Sequence, residues 1–365
     1  MSVLPRDLVV FALRHPERLP ALSLADWSRL VSQARRADLL ARVACLLDDR
    51  GLTADVPAAP RAHLEAARRL SQAQQGEVRR EVAHIVAALA TLKLRPILLK
   101  GAAYVMAGLP AAAGRIFADV DILIQKARLP EAEASLMLHG WVTTHHSAYD
   151  QRYYRQWMHE LPPLQHMHRH AVLDVHHTIL PETARLRPDA ARLIAAAHTL
   201  PANPELQVLA PTDLVLHSMT HLFHNEELSH GLRDLSDLDL LLRHFGADTA
   251  FWPQLVARAR ELDLARPLHY GLRHVHRVLG TPVPQETLAS AAHAAPGALL
   301  SRLMDRLWSR ALRTPHPSAA DIGTAPALFA LYVRAHWLRM PPGLLVRHLA
   351  IKATRWGAES SASRA

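Results

Sequence analysis

The chain has 365 residues, half of them apolar, with a formal net charge of +9 and a pI near 10.2. That much apolar surface excludes a mainly disordered chain, and the length is enough for two or three domains with a sizeable core. The positive balance favours polyanionic partners, namely nucleotides, nucleic acid or acidic membrane surface, although the preponderance of arginine over lysine is equally the mark of a biased genome.

The first residues, Met1-Ser2-Val3-Leu4-Pro5-Arg6-Asp7, carry charges and a proline that interrupt any export signal. No stretch reaches the roughly 18 uninterrupted apolar residues of a bilayer-spanning helix. The expectation is a cytoplasmic protein without integral membrane association. Cys45, the single cysteine, has no partner for an internal disulfide, and its apolar neighbours point to a buried helix face.

Residues 26–47 and 59–92 repeat apolar side chains at three- and four-residue intervals, which predicts helix, with Pro57 and Pro60 marking the break. The short apolar run at 96–99 ends at Lys100-Gly101 and predicts a strand turning into a helix at 102–107. Gly108, Pro110 and Gly114 make a loop. Strand-like alternation follows at 118–124, helical spacing at 129–138 and a further strand at 141–145. Beyond the polar, aromatic stretch 149–157, two strands at 164–168 and 171–176 would form a hairpin about Arg169-His170. From about Arg187 onward the pattern reads as helix. The fold class expected is therefore α+β, a small mixed sheet in residues 94–186 flanked by helical regions at 1–93 and 187–365.

Within 114–124, alternation puts Asp119 and Asp121 on one face and Val120, Ile122 and Ile124 on the other. Two unpaired neighbouring acids repel, and a bound divalent cation removes that cost. Magnesium, or manganese in its place, suits a carboxylate pair that shares the ion with phosphate oxygens. In the strand at 171–176, Asp174 and His176 share a face, and pairing beside the first strand would bring Asp174 into the cluster. Three carboxylates can hold two ions for an in-line displacement at phosphorus. The Lys100-Gly101 turn at a helix start offers backbone N–H groups and a full positive charge to the β- and γ-phosphates. Neither a Walker loop nor a Rossmann fingerprint is present.

The order Leu98-Leu99-Lys100-Gly101, then Arg115 with Asp119-Val120-Asp121-Ile122-Leu123, then Leu173-Asp174-Val175-His176 resembles the uncharacterised bacterial nucleotidyltransferase family of the DNA polymerase β superfamily, over roughly residues 80–245. The resemblance implies a polymerase β-like fold and magnesium-dependent transfer of a nucleoside monophosphate from a nucleoside triphosphate to an acceptor, with loss of pyrophosphate. It implies metal binding by Asp119 and Asp121, activation of the acceptor hydroxyl by Asp174, and nucleotide contacts from Gly101 and Arg115. His176 is placed to assist proton transfer, to orient Asp174, or simply to make a structural hydrogen bond. The acceptor stays open among RNA, protein, sugar and small metabolite. Many relatives have serine after this glycine, whereas Ala102 has no hydroxyl, which keeps alive a nucleotide- or nucleic-acid-binding protein with weak or no turnover.

A third reading places a histidine-based metallohydrolase at His217 and His221, four apart on a helix, but Ser218 stands where a zinc protease has glutamate and a packing role is favoured. Asp234, Asp237 and Asp239 read as a solvated helix face with local ion pairs. The basic amphipathic stretch 328–356 reads as a docked terminal helix in preference to a membrane or nucleic-acid contact.

Overall fold

A computed structural model describes residues 4–144, 147–341 and 343. The expected strand position at His145 and most of the 328–356 stretch beyond Pro341 lie outside the described residues. Helices α1 (Leu8–Arg14), α2 (Leu24–Arg36), α3 (Leu40–Asp49) and α4 (Ala58–Leu89) come first. The predicted single helix at 26–47 is two helices. Its apolar spacing runs through the break, but Asp38 adopts a left-handed φ of +55° and ends the first ladder. At the start of α2, the Ser23 hydroxyl accepts from the Asp26 amide at 3.2 Å, which caps an otherwise orphaned donor. Cys45 on α3 is half-buried.

The middle of the chain supplies β1 (Ile97–Leu98), α5 (Lys100–Met106), β2 (Val120–Leu123), α6 (Leu129–Leu138), β3 (Trp141–Thr143), α7 (Ala148–Trp157), β4 (Leu164–His166) and β5 (Val172–His176). Expectation and structure agree on α6. The hairpin between β4 and β5 exists, but its connection is the five residues Met167 to Ala171, not a two-residue turn. Neither arginine nor histidine suits the paired left-handed positions of a two-residue turn. In the longer loop His170 alone takes a positive φ, of +57°.

After α8 (Ala190–Ala195) the chain returns to the sheet as β6 (His198–Leu200) and β7 (Asn203–Val208), correcting the expectation of helix throughout this region. The strands escape notice because only Leu206 and Val208 of β7 are buried, so the apolar alternation is too sparse to read. Helices follow as α9 (Pro211–His224), α10 (Gly231–Phe245), α11 (Phe251–Glu261), α12 (Ala265–Leu279), α13 (Gln285–Ala292), α14 (Ala298–Ala311) and α15 (Thr324–Arg339). The described part of the terminal stretch does dock, through Ala327, Leu331 and Ala335 of α15. No helix among the described residues is long and apolar enough to cross a membrane.

The architecture is α+β. Among the described residues the sheet has seven strands in the order β3-β4-β5-β2-β1-β7-β6. It is mixed: β2 runs parallel to β5 and antiparallel to β1, and β1 runs parallel to β7. One apolar core joins the sheet to α5 and the helices from α9 onward, and a second fills the N-terminal helices. Helix α10 links the two, because its Leu232 inserts into the N-terminal core while Leu235, Leu238 and Leu241 pack into the other.

The same junction holds the loop that feeds β2. Arg42 of α3 is buried and donates to the carbonyls of Ala111 at 2.6 Å and Ala113 at 3.2 Å, to Ser236 Oγ at 2.7 Å and to Asp237 Oδ1 at 2.7 Å. Gly114 then passes against the α3 backbone with φ +66°, and a Cβ there would lie 2.4 Å from Arg42 Cα. Both the conformation and the contact demand glycine. Gly114→Ala should destabilise the protein by about 4 kcal/mol or more, since backbone cannot give way. Gly108→Ala, at φ +65° with open space around it, should cost about 1–2 kcal/mol. Urea denaturation measures both, and equal losses would refute the close-packing account.

Candidate functional site

Chain order carries the acids to the middle of the sheet. In the parallel pair β2–β5, Asp121 stands opposite Asp174 and Leu123 opposite His176. Residues in register on adjacent strands project from the same face about 4.8 Å apart, so Asp121 and Asp174 are immediate neighbours. Asp119 lies one residue before β2 and is exposed, whereas Asp121 is only 4% exposed. The strand begins later than the predicted 118, which leaves Asp119 free of the ladder at the rim.

Two donors converge on one oxygen of Asp121. Lys100 Nζ donates to Oδ1 at 2.9 Å, and His176 Nε2 lies 3.0 Å from the same atom. Burial alone would push the Asp121 carboxyl up, but Lys100 and His176 hold it well below the usual carboxylate range. Reciprocally, burial would lower Lys100, yet Asp121 and Asp119 push it up to about 12. The other acids respond in the opposite sense. The charge of Asp121, then burial, raises Asp119. Burial, then the charges of Asp121 and Glu160, push Asp174 up to about 7. Asp174 Oδ1 is buried with no hydrogen-bond partner among the described residues. An orphaned carboxylate oxygen beside two further acids is a donor set that fits a hard divalent cation.

The Lys100-Gly101 turn differs from the expected reason for its glycine. Lys100 itself takes the left-handed φ, +43°, at the start of α5, a conformation that costs a non-glycine residue energy and is most often kept at working sites. Gly101 instead permits close packing: a Cβ there would meet Arg115 Nη1 at 2.5 Å and the Phe117 ring at 2.9 Å. No side chain caps the first turn of α5.

Lys100, Arg115, Asp119 and Asp121 line one cavity of about 210 Å³. Its opposite wall is helical and was not foreseen: Ser218 and His221 from α9, and Arg233, Asp234 and Asp237 from α10. Arg115 is not free for a ligand, because its Nε donates to Asp237 Oδ2 at 2.8 Å and its guanidinium lies over the Phe117 ring at 5.3 Å. Asp237 is 2% exposed and joins Arg42 and Arg115, so the solvated helix face expected of these acids is corrected. Two arginines neutralise it, which is what permits burial of the charge. Asp234 also faces inward, and although burial would raise it, His221 and Arg233 hold it below the usual range. Asp239 alone behaves largely as expected, pairing with Arg243 at 2.8 Å. The legible signal was spacing: Asp234 and Asp237 fall on the stripe of Leu238 and Leu241, both buried.

His217 is buried and His221 lies 3.7 Å from Asp234. Among the described residues, neither this pair with a third ligand nor the trio Asp119, Asp121 and Asp174 converges as closely as His159, Glu160 and His176, whose ligand atoms all lie within 4.8 Å of one another. The sequence reading had singled out only His176 of these.

A family model described as an uncharacterised nucleotidyltransferase matches residues 23–280 of this chain. No curated protein and no solved structure matches it.

Two outcomes are expected of this geometry. Asp237→Ala leaves two buried guanidiniums without their carboxylate and should cost about 3–5 kcal/mol in urea unfolding; a loss under about 1 kcal/mol would exclude the clamp. The second concerns pH. Asp174 stands near 7 instead of 3.8, so between those values the folded chain keeps a proton that the unfolded chain has released. Stability from this group is complete below its unfolded pKa and is lost as pH rises through about 7. In chelator, unfolding free energy should fall from about pH 5 to about pH 8, more steeply for the wild type than for Asp174→Asn. Parallel slopes would disprove the assignment.

Proposed function

The chain belongs to the uncharacterised nucleotidyltransferase family, and from that premise we propose that it transfers a nucleoside monophosphate from a nucleoside triphosphate to an acceptor in a magnesium-dependent reaction at the cavity between β2 and α10. The observation that carries the reading is the register that sets Asp174, with its unpartnered oxygen, beside Asp121, which itself lines the cavity with Asp119, Lys100 and Arg233. Asp119, Asp121 and Asp174 would hold magnesium, or manganese in its place, which when bound neutralises triphosphate charge and polarises the reacting phosphorus.

The chain's own groups divide the remaining work. Lys100, on its strained turn, attracts and orients the triphosphate, and Arg233, which donates to Asp234 Oδ1 through Nε and Nη2, adds its charge to the cavity wall. Arg115, committed to Asp237, holds Lys100's turn through its packing on Gly101 and contributes its charge from behind the wall. Asp174, which stands beside Asp121 in register, is the carboxylate placed to act as general base. It takes the proton of the acceptor hydroxyl as that oxygen bonds to the α-phosphorus, and the bond to the bridging oxygen breaks to release pyrophosphate. His176 keeps Asp121 anionic through its hydrogen bond. The N-terminal helices and those from α9 onward, on either side of the sheet that β7 extends to Val208, would select the acceptor, whether RNA, protein, sugar or small metabolite, in a cytoplasmic setting.

Ala102 favours the second reading, a nucleotide- or nucleic-acid-binding protein with little turnover, because no hydroxyl stands after Gly101. Its side chain is 1% exposed beneath α5, so that position faces protein and the lack of a hydroxyl weighs less than the sequence implied. Purified protein with labelled triphosphates and cell extract should give metal-dependent labelling of an acceptor, reduced at least ~1000-fold by Asp121→Ala and Asp119→Ala, on the scale of removing a group on which transition-state charge depends. Labelling that survives Asp121→Ala sinks the enzyme reading. Nucleotide or RNA binding that persists in chelator without any labelling establishes the second.

A further inference from the structure

Next to Asp121, and reached from it through His176, lies a group of side chains of which the proposed transfer uses only His176. His159 and Glu160 follow α7 in a segment paired to β5: Glu160 bridges His176 in antiparallel fashion, the Leu161 amide donates to the Val175 carbonyl at 2.9 Å, and the His177 amide donates to the His159 carbonyl at 2.9 Å. The backbone therefore holds both residues rigidly beside His176. Glu160 Oε2 lies 3.3 Å from His176 Nδ1 and 3.7 Å from His159 Nε2. One ligand atom from each of the three residues lies within 4.8 Å of the other two.

Despite this crowding, Nδ1 of His176, the atom that faces Glu160, is buried with no hydrogen-bond partner among the described residues, and His176 is only 3% exposed; His159 faces Glu160 with Nε2, and its own Nδ1 is likewise buried and unpartnered on the far side of the ring. Orphaned buried nitrogens call for an explanation. Ligand bonds of about 2.0–2.2 Å in a tetrahedral site place ligand atoms roughly 3.3–3.6 Å apart; the Glu160–His176 distance of 3.3 Å lies in that range and the Glu160–His159 distance of 3.7 Å just outside it. Two imidazoles and one carboxylate select zinc-class ions over magnesium, which prefers oxygen ligands alone.

We propose that His159, Glu160 and His176 form a binding site for a divalent transition-metal ion, separate from the aspartate cluster and one imidazole away from Asp121. Coordination through His176 Nδ1 puts that ring's proton on Nε2, which lies 3.0 Å from Asp121 Oδ1. Asp121 thereby becomes the outer carboxylate of a carboxylate–histidine–metal arrangement, the usual way a ligating ring is oriented. The ion would lock His176 as a neutral donor to Asp121. This site stands on its own geometry, whether or not the nucleotidyl transfer is correct.

The test strips the full-length protein with chelator and titrates it with zinc against a chromophoric competitor. One tight equivalent is expected, undisturbed by millimolar magnesium. Affinity should fall by more than about 100-fold in His159→Ala and in Glu160→Gln, beyond the range for losing an outer partner alone, and should be unchanged in His217→Ala and Asp119→Ala. Cobalt-substituted wild type, which requires no variant to fold, should show paramagnetically shifted proton resonances from two histidine rings. Absence of stoichiometric zinc, displacement by magnesium, unchanged affinity in both His159→Ala and Glu160→Gln, or cobalt signals from other than two rings each overturns the proposal.

Discussion

Asp121 Oδ1 receives the Lys100 ammonium and the His176 imidazole at once, and the remainder of the site is arranged around that convergence. A carboxylate buried at the centre of a seven-stranded sheet is tolerable only because two cationic or donor groups reach it. Having been neutralised from one side, Asp121 stays charged and repels its neighbours. Asp119, at the rim, is pushed up chiefly by that charge, and Asp174, adjacent on β5, by its burial and then by the same charge. The sheet thus stores an electrostatic imbalance of a kind that cation binding relieves, since Asp174 Oδ1 is buried without a hydrogen-bond partner among the described residues.

A second constraint governs where that imbalance faces. Asp237 binds Arg42 from α3 and Arg115 from the loop before β2, so one buried carboxylate on α10 ties three parts of the chain together. Because Arg42 also holds the carbonyls of Ala111 and Ala113, the loop approaching Asp119 is fastened at several points. The same helix presents Arg233 and Asp234 to the cavity. Structural clamp and cavity wall are therefore one element, and displacement of α10 would alter the approach to Asp119 and Asp121 together.

Legibility in the sequence followed the strength of local periodicity. The helix Leu129–Leu138 and the alternation about Val120 and Ile122 were readable because burial on one side repeats with the element's own period. Strand β7 was not, since its exposed half carries no apolar mark and its place is decided by pairing with β1. The break at Asp38 was hidden because the apolar spacing continues across it. Asp234 and Asp237 looked like solvent-facing charges; Arg42, about two hundred residues away in sequence, and Arg115 explain the burial of Asp237, while Arg233 and His221 hold Asp234.

What the sequence by itself determined was the α+β class, the presence of a strand-and-turn unit bearing Lys100, Gly101, Asp119, Asp121 and Asp174, and the resemblance those residues carry. Each of these depends on neighbours within a few positions or on alternation along one strand. Tertiary structure alone decided that Asp174 faces Asp121 in register, that Arg115 serves Asp237, that α9 and α10 close the cavity, and that His159 and Glu160 meet His176. Those facts arise from pairings between distant segments, and the energies that select them, burial of charge against its partner and closure of the sheet, leave no periodic trace in the order of the residues.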